Sequence, residues 1–174
     1  EAELLAVANF DELEKRKDEV KGKIVYYHSQ FDPTIIQTFK AYSESGVYRR
    51  SGASRAAKYG AVGVMIHSLS TAPDNAPHTG TMVYDDAYPK IPAVALGPND
   101  AKKVWNQSRN KQLRVQIQTY GFFLPDADEN NVVAEIKGSE FPNEIITVGG
   151  HLDSWDVNEG AHDDGAGIVQ TMEI

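Results

Sequence analysis

The sequence has no cysteine. Disulfides, thiolate metal sites and a cysteine nucleophile are therefore excluded, and any metal must be held by His, Asp or Glu. Long hydrophobic runs are missing too. None approaches the ~20 residues that a membrane-spanning helix needs, so no membrane partner is expected. Basic residues are missing from one end. Residues 138–174 hold 8 acids and no Lys or Arg, whereas residues 1–137 hold 17 of each sign. The whole net charge of −8 lies in the last 37 residues. Binding to a phosphate backbone needs clustered Lys and Arg, so nucleic acid is not an expected partner. The first stretch, "EAELLAVANFDELEKRKDEV", lacks the apolar core of a signal peptide. It reads as the start of a processed chain, which leaves export of a longer precursor open.

What is there reads as alternating helix and strand. "NFDELEKRKDEVKGK" predicts a helix capped by Asn9 or Asp11 and stopped at Gly22. "KIVYYHS" predicts a strand, "YRRSGASRAAKYGA" a small-residue helix ended by Gly60, and "VGVMIHS" a buried strand. Residues 71–90, rich in Pro and polar groups, predict a long loop. "IPAVAL" predicts a further strand, and "GPNDAKKVWNQ" a helix capped by Asn99 or Asp100. "QLRVQIQTYG" alternates as a half-exposed strand does. "FLPDADENN" marks the hinge. After it, "VVAEIKG" and "EIITVGG" predict two strands around a turn, and "GAGIVQTMEI" opens a helix. Two strands and one helix leave apolar faces that need partners from elsewhere.

The acidic end is not a solvated tail, because Leu152, Trp155, Val157 and Ile168, all core-forming types, are interleaved with it. In "GGHLDSWDVNEGAHDDGAGI", two His and five carboxylates fall within fourteen residues, His151 to Asp164. His151 follows a predicted strand and Gly-Gly, where open α/β sheets bind ligands. Residues i and i+2 of an extended segment share a side. Asp153 is thus placed to accept a hydrogen bond from the ring of His151 and fix its tautomer. Asp163, flanked by glycines, can turn back toward the imidazole, and its two oxygens can bridge two ions. Zinc suits such His and Asp donors. The plainer reading is a Gly-rich surface loop whose Asp-Asp pair caps the next helix, a role suited to Asp164.

"GGHLDSWDVNEGAHDDGAGIV" resembles the first metal-binding segment of the di-zinc exopeptidases. "GKIVYY", "GASRAAKYGAVGVMIHS", "APHTGTMVY" and "PKIPAVAL" resemble the protease-associated domain inserted in those enzymes. The resemblance implies an α/β fold: a small protease-associated β-rich domain with flanking helices over 1–121, then a fragment of an α/β/α zinc exopeptidase domain over 122–174. It implies that His151 binds one zinc, that Asp163 bridges two, and that Asp153 acts beside them by orienting His151. A Glu-Glu pair, a further Asp and a further His complete the family's site, and none of these falls in the matching part of this chain. The implied activity is hydrolysis of dipeptides or short peptides by a two-metal activated water. The implied partners are a peptide substrate, the rest of the peptidase domain and a second copy in a homodimer. The implied location is secreted or periplasmic. The competing reading is a non-catalytic protease-associated interaction module of a receptor or sorting protein.

Other residues are weighed individually. His162 is read as an ordinary loop residue rather than a third ligand. Trp155 suits a core as well as a site wall. His67 reads as a hydrogen-bonded structural histidine and His78 as part of a solvated loop. Arg49 and Arg50 read as a surface pair rather than a carboxylate clamp. Ser154 lacks a His–Asp relay and is not read as a nucleophile, and Glu173 reads as an ordinary helix residue.

Overall fold

The computed structural model describes residues 1–72, 75–155 and 158–174. Val157, expected in a core, lies outside the described residues, as does Asp156 of the acidic cluster. The chain divides into two compact units, Glu1–Phe123 and Leu124–Ile174.

The first unit is mixed α/β. Its elements run β1 (Ala2–Val7), α1 (Phe10–Lys15), β2 (Ile24–Tyr27), α2 (Thr38–Ala57), β3 (Gly63–His67), β4 (Ala93–Leu96), α3 (Pro98–Ser108) and β5 (Arg114–Val115). They form one five-stranded sheet in the order β4-β3-β2-β1-β5. β1 to β4 are parallel, in the registers Leu4↔Ile24, Ile24↔Gly63 and Val64↔Ala93, and β5 runs antiparallel to β1. Both faces are covered. Leu5, Val7, Val25, Tyr27, Val64 and Ile66 pack with α1 and α2 residues such as Leu13, Ala53 and Ala56. Leu4, Ile24, Tyr26 and Met65 pack with Ala101 of α3. A strand buried on both faces loses polar–apolar alternation. That explains why β1, "AELLAV", escapes a reading built on periodicity.

α1 begins as expected at Asn9, whose side chain accepts from the Glu12 N–H at 2.9 Å, while Glu12 accepts from the Ala8 N–H at 2.7 Å. A 3-10 turn over Lys17–Glu19 follows, and Gly22 takes φ +75 where the chain reverses. α2 starts ten residues before the expected "YRRSGASRAAKYGA". Its buried stripe is built of Ala41, Ser45, Gly52, Ala53 and Ala56 rather than large apolar residues. At 20 residues it is also more helix than a β-rich module implies. Gly52 permits a close approach. A Cβ there would lie 2.9 Å from the ring of Tyr27, whose hydroxyl donates to the Gly52 carbonyl at 3.1 Å.

The expected cap of α3 is corrected. The N-cap position is Gly97, not Asn99 or Asp100. The capping oxygen comes from Asn75, whose Oδ1 accepts from the Asn99 and Asp100 N–H groups at 3.1 Å each. Its Nδ2 donates to Asp100 Oδ2 at 2.7 Å. The expected strand over 112–121 shortens to Arg114–Val115.

Among the described residues, the second unit carries one regular element, α4 (Gly165–Glu173). The strands expected over 132–138 and 144–150 are absent among the described residues. A strand is stable only with a neighbour to complete its ladder, and no such neighbour pairs with them here. Their apolar residues are accordingly exposed, with Ile136 91% and Ile146 90% accessible. Leu152 is exposed rather than in a core, and Trp155 is 44% accessible.

Candidate metal centre

The local chain path is set by glycines and by Asp164. Gly160 has φ +65, a conformation that side chains other than Gly rarely adopt. Gly150 lies so close to the start of α4 that a Cβ would meet Asp164 Oδ2 at 2.8 Å. Asp164 is the N-cap of α4: its Oδ1 accepts from the Gly167 N–H at 3.1 Å. Its Oδ2 accepts from the His151 N–H at 3.3 Å. One carboxylate thus satisfies an orphan helix donor and holds the backbone of His151 beside the helix start. The Asp163–Asp164 peptide bond is cis.

This path brings the three residues singled out in the sequence together. His151 Nε2 lies 2.8 Å from Asp163 Oδ1. His151 Nδ1 lies 2.8 Å from the Asp153 carbonyl oxygen and 3.1 Å from Asp153 Oδ1. Oxygen therefore faces both ring nitrogens, on opposite edges of the imidazole. The ring titrates above the ordinary histidine range. The hydrogen bond to Asp163 is the main cause, followed by that to the Asp153 carbonyl. All three side chains are half or more exposed.

A neutral imidazole has one N–H. Protonated, the ring donates from Nε2 to Asp163 and from Nδ1 to Asp153; once the Nε2 proton is lost, Nδ1–H stays on Asp153 and the Nε2 lone pair is open to a cation. An Nε2 lone pair and a carboxylate on one side of the ring are zinc-type donors, with the orienting acceptor behind. The donor set fits part of a metal site only. A structural or catalytic zinc takes at least three protein ligands, and no group of three or more His, Asp or Glu converges on one point among the described residues. Asp153 does not add to the count, because it sits at the far nitrogen.

The remaining candidates fall elsewhere. His162 is exposed and makes no hydrogen bond or ion pair among the described residues. The Ser154 hydroxyl donates to the Asn158 carbonyl at 2.9 Å, a loop bond rather than a relay. Glu173 ends α4, exposed. His67 is 8% accessible, with Nδ1 2.6 Å from the Ser68 carbonyl oxygen, as a structural histidine should be. Two readings change. His78 is half-buried beside Tyr42 rather than in a solvated loop, and burial lowers its pKa. Arg49 is not a surface partner of Arg50. It donates to the Tyr42 hydroxyl at 2.9 Å and to the Thr79 carbonyl at 3.0 Å, pinning the loop that carries His78. The sequence reading missed Asp164's hold on the His151 backbone. The only trace of that contact is the pair of glycines, 150 and 167, that makes room for the carboxylate.

Known proteins resemble this chain in sequence and fold. Residues 131–174 match the model of Peptidase family M28, a family of di-zinc exopeptidases, and likeness to carboxypeptidases Q extends along nearly the whole chain. The chain is 42% identical over 173 residues to carboxypeptidase Q of Mus musculus, covering 99% of this chain and 35% of the relative. A 44-residue stretch is 46% identical to a probable leucine aminopeptidase 2 of Aspergillus oryzae, covering 25% of this chain and 9% of that protein. Among solved structures, an M28 peptidase precursor from Shewanella amazonensis matches with a TM-score of 0.75 and 32% identity, over 95% of this chain and 37% of that one. The chain therefore spans about a third of the length of the carboxypeptidase Q relatives it matches. Among the described residues, no helix is long and apolar enough to cross a membrane.

Proposed function

We propose that this chain forms part of a zinc-dependent exopeptidase and contributes one flank of its metal centre. His151 and Asp163 are the metal ligands, and Asp153 is the residue that orients His151. The observation that carries this reading is the 2.8 Å approach of His151 Nε2 to Asp163 Oδ1, twelve residues apart in sequence, with Asp153 at the opposite nitrogen. The match of residues 131–174 to Peptidase family M28 supports zinc as the metal and peptide hydrolysis as the reaction. Zinc bound there would supply Lewis acidity, making water acidic and polarising a carbonyl. The chain's own residues do the positioning. Asp164 holds the His151 backbone, Asp153 holds its ring, and Asp163 offers a second oxygen for a neighbouring ion.

By this reading, residues 1–121 form the inserted protease-associated domain. The exposed apolar residues of 132–148 and of α4 are then the face that the rest of a peptidase domain covers. Substrates are dipeptides or short peptides, and the whole enzyme acts as a homodimer outside the cytoplasm. The competing reading, a protease-associated interaction module without catalysis, does not account for two carboxylates gathered at opposite nitrogens of one imidazole.

The test uses the whole enzyme. His151→Ala should abolish stoichiometric zinc at one position and lower kcat/KM by at least ~10³, and Asp153→Asn should weaken zinc by ~10–100-fold. The readouts are zinc content after dialysis and peptidase rate. Unchanged zinc and unchanged rate in His151→Ala would remove the assignment. The 174-residue chain alone should show no peptidase activity and weak zinc affinity, since it offers only two ligands.

A further inference from the structure

A second feature lies in the first unit and owes nothing to the metal centre. A groove of about 450 Å³ runs between α2 and residues 83–88. The wall opposite α2 is tied to it: the Val83 N–H donates to the Arg50 carbonyl at 2.9 Å, and the Asp85 N–H to Ser54 Oγ at 2.8 Å. Arg50 and Arg55 of α2 and Lys58 at its C-cap line the groove. All three are exposed, and none has a carboxylate within ion-pair distance among the described residues.

Arg55 is held in place. Its guanidinium lies over the Phe10 ring, 4.1 Å from the centroid. A guanidinium stacked by its face keeps its N–H edge free and fixed, which suits two-point binding of a carboxylate. Lys58 lies along Tyr59 in the same way, 5.1 Å from its centroid. The two acids of the groove are already engaged. Glu14 accepts from the Tyr59 hydroxyl, and Asp85 accepts from the Ala87 N–H at 2.9 Å.

We propose that this groove is a docking site for acidic peptide segments, with Arg50, Arg55 and Lys58 receiving their Asp or Glu carboxylates. The half-exposed Val83, which also lines the groove, gives the peptide's apolar atoms a place to rest. A phosphate polymer fits less well. It has no counterpart to the apolar side-chain atoms that would rest on Val83.

The test is fluorescence anisotropy with the 174-residue chain and a labelled hexaglutamate peptide, with hexaglutamine as control. Hexaglutamate should bind saturably, and binding should weaken as salt rises and the screening length shortens to about 10 Å or less. Arg50→Glu with Lys58→Glu should weaken it at least about tenfold, and the milder Arg50→Gln with Lys58→Gln should fall between. Both positions are exposed, so the melting temperature should hold, and the two-step series separates charge from any loss of fold. Equal binding of hexaglutamine, equal binding by the charge-reversed variant, or tighter binding of inorganic phosphate than of hexaglutamate would each overturn the proposal. None of these outcomes touches zinc content or peptidase rate, so the site in the second unit stands or falls separately.

Discussion

At the scale of single residues, polar side chains placed at the carboxyl ends of the parallel strands do most of the locking. His28, just past β2, is the clearest case. It stacks on Trp105 at 4.5 Å between centroids, with planes 9° apart. Its Nδ1 is 2.7 Å from the Tyr26 hydroxyl, which donates onward to the Ala101 carbonyl at 2.9 Å. Since that hydroxyl spends its proton on Ala101, Nδ1 must be the donor and Nε2 the acceptor for Gln30, 3.0 Å away. Burial, with His67 adding its charge, pushes the His28 pKa down to about 4. The folded state therefore binds this proton less readily than the unfolded chain, whose value is the ordinary ~6.5. The stabilisation is complete above pH 6.5 and drains away as pH falls from there to about 4. A His28→Gln variant should show a flatter fall of melting temperature over that window than the wild type. Parallel curves would contradict the assignment. The same scale holds the α3 cap. Asn75→Ala should lower stability by about 1 kcal/mol, read from urea unfolding.

At the scale of elements, large buried residues made structure legible and small ones hid it. "VGVMIHS" and "KIVYYHS" announce β3 and β2, because Val, Ile and Tyr crowd short runs. α2 shows its second half only, because Gly46, Ser43, Ser45 and the aromatic Phe39 weaken helix propensity ahead of it. What makes it a helix is tertiary: a stripe of Ala, Ser and Gly seated on β2 and β3. Gly52→Ala tests that seat. The gain in helix propensity is outweighed by overlap with the fixed Tyr27 ring, for a net loss of about 1–2 kcal/mol. A stabilised variant would show that the ring yields. The cap from Asn75 could not be read from sequence, since no local pattern links residues 24 and 25 apart. The approach of Asp153 and Asp163 to His151 was legible because these residues lie within fourteen positions and the connecting turns are written in Gly. The strands meant to carry them were not found, because a strand's existence depends on neighbours that periodicity does not supply.

At the scale of the molecule, the division into units is also a division of charge. Residues 1–123 hold 16 bases and 13 acids, while residues 124–174 hold 12 acids and one base, Lys137. The second unit also leaves its apolar residues uncovered, among them Val132, Ile145, Val169 and Met172. Burial is what stabilises folded chains, so the two units should not melt alike. Heating the 174-residue chain should give a cooperative transition for the first unit. Backbone amides of 124–164 should exchange with solvent far faster than those of β2 and β3. Equal protection would mean that the second unit has a core of its own.

The crossing from Asn75 to the first turn of α3 has a kinetic meaning as well. Two helix amides, those of Asn99 and Asp100, are shielded by a side chain that arrives from a loop more than twenty positions upstream. Their deuterium uptake should therefore report the loop's opening rate rather than fraying of the helix. Those two amides would serve as a built-in clock for the 75–80 segment, and Asn75→Ala should start both of them together.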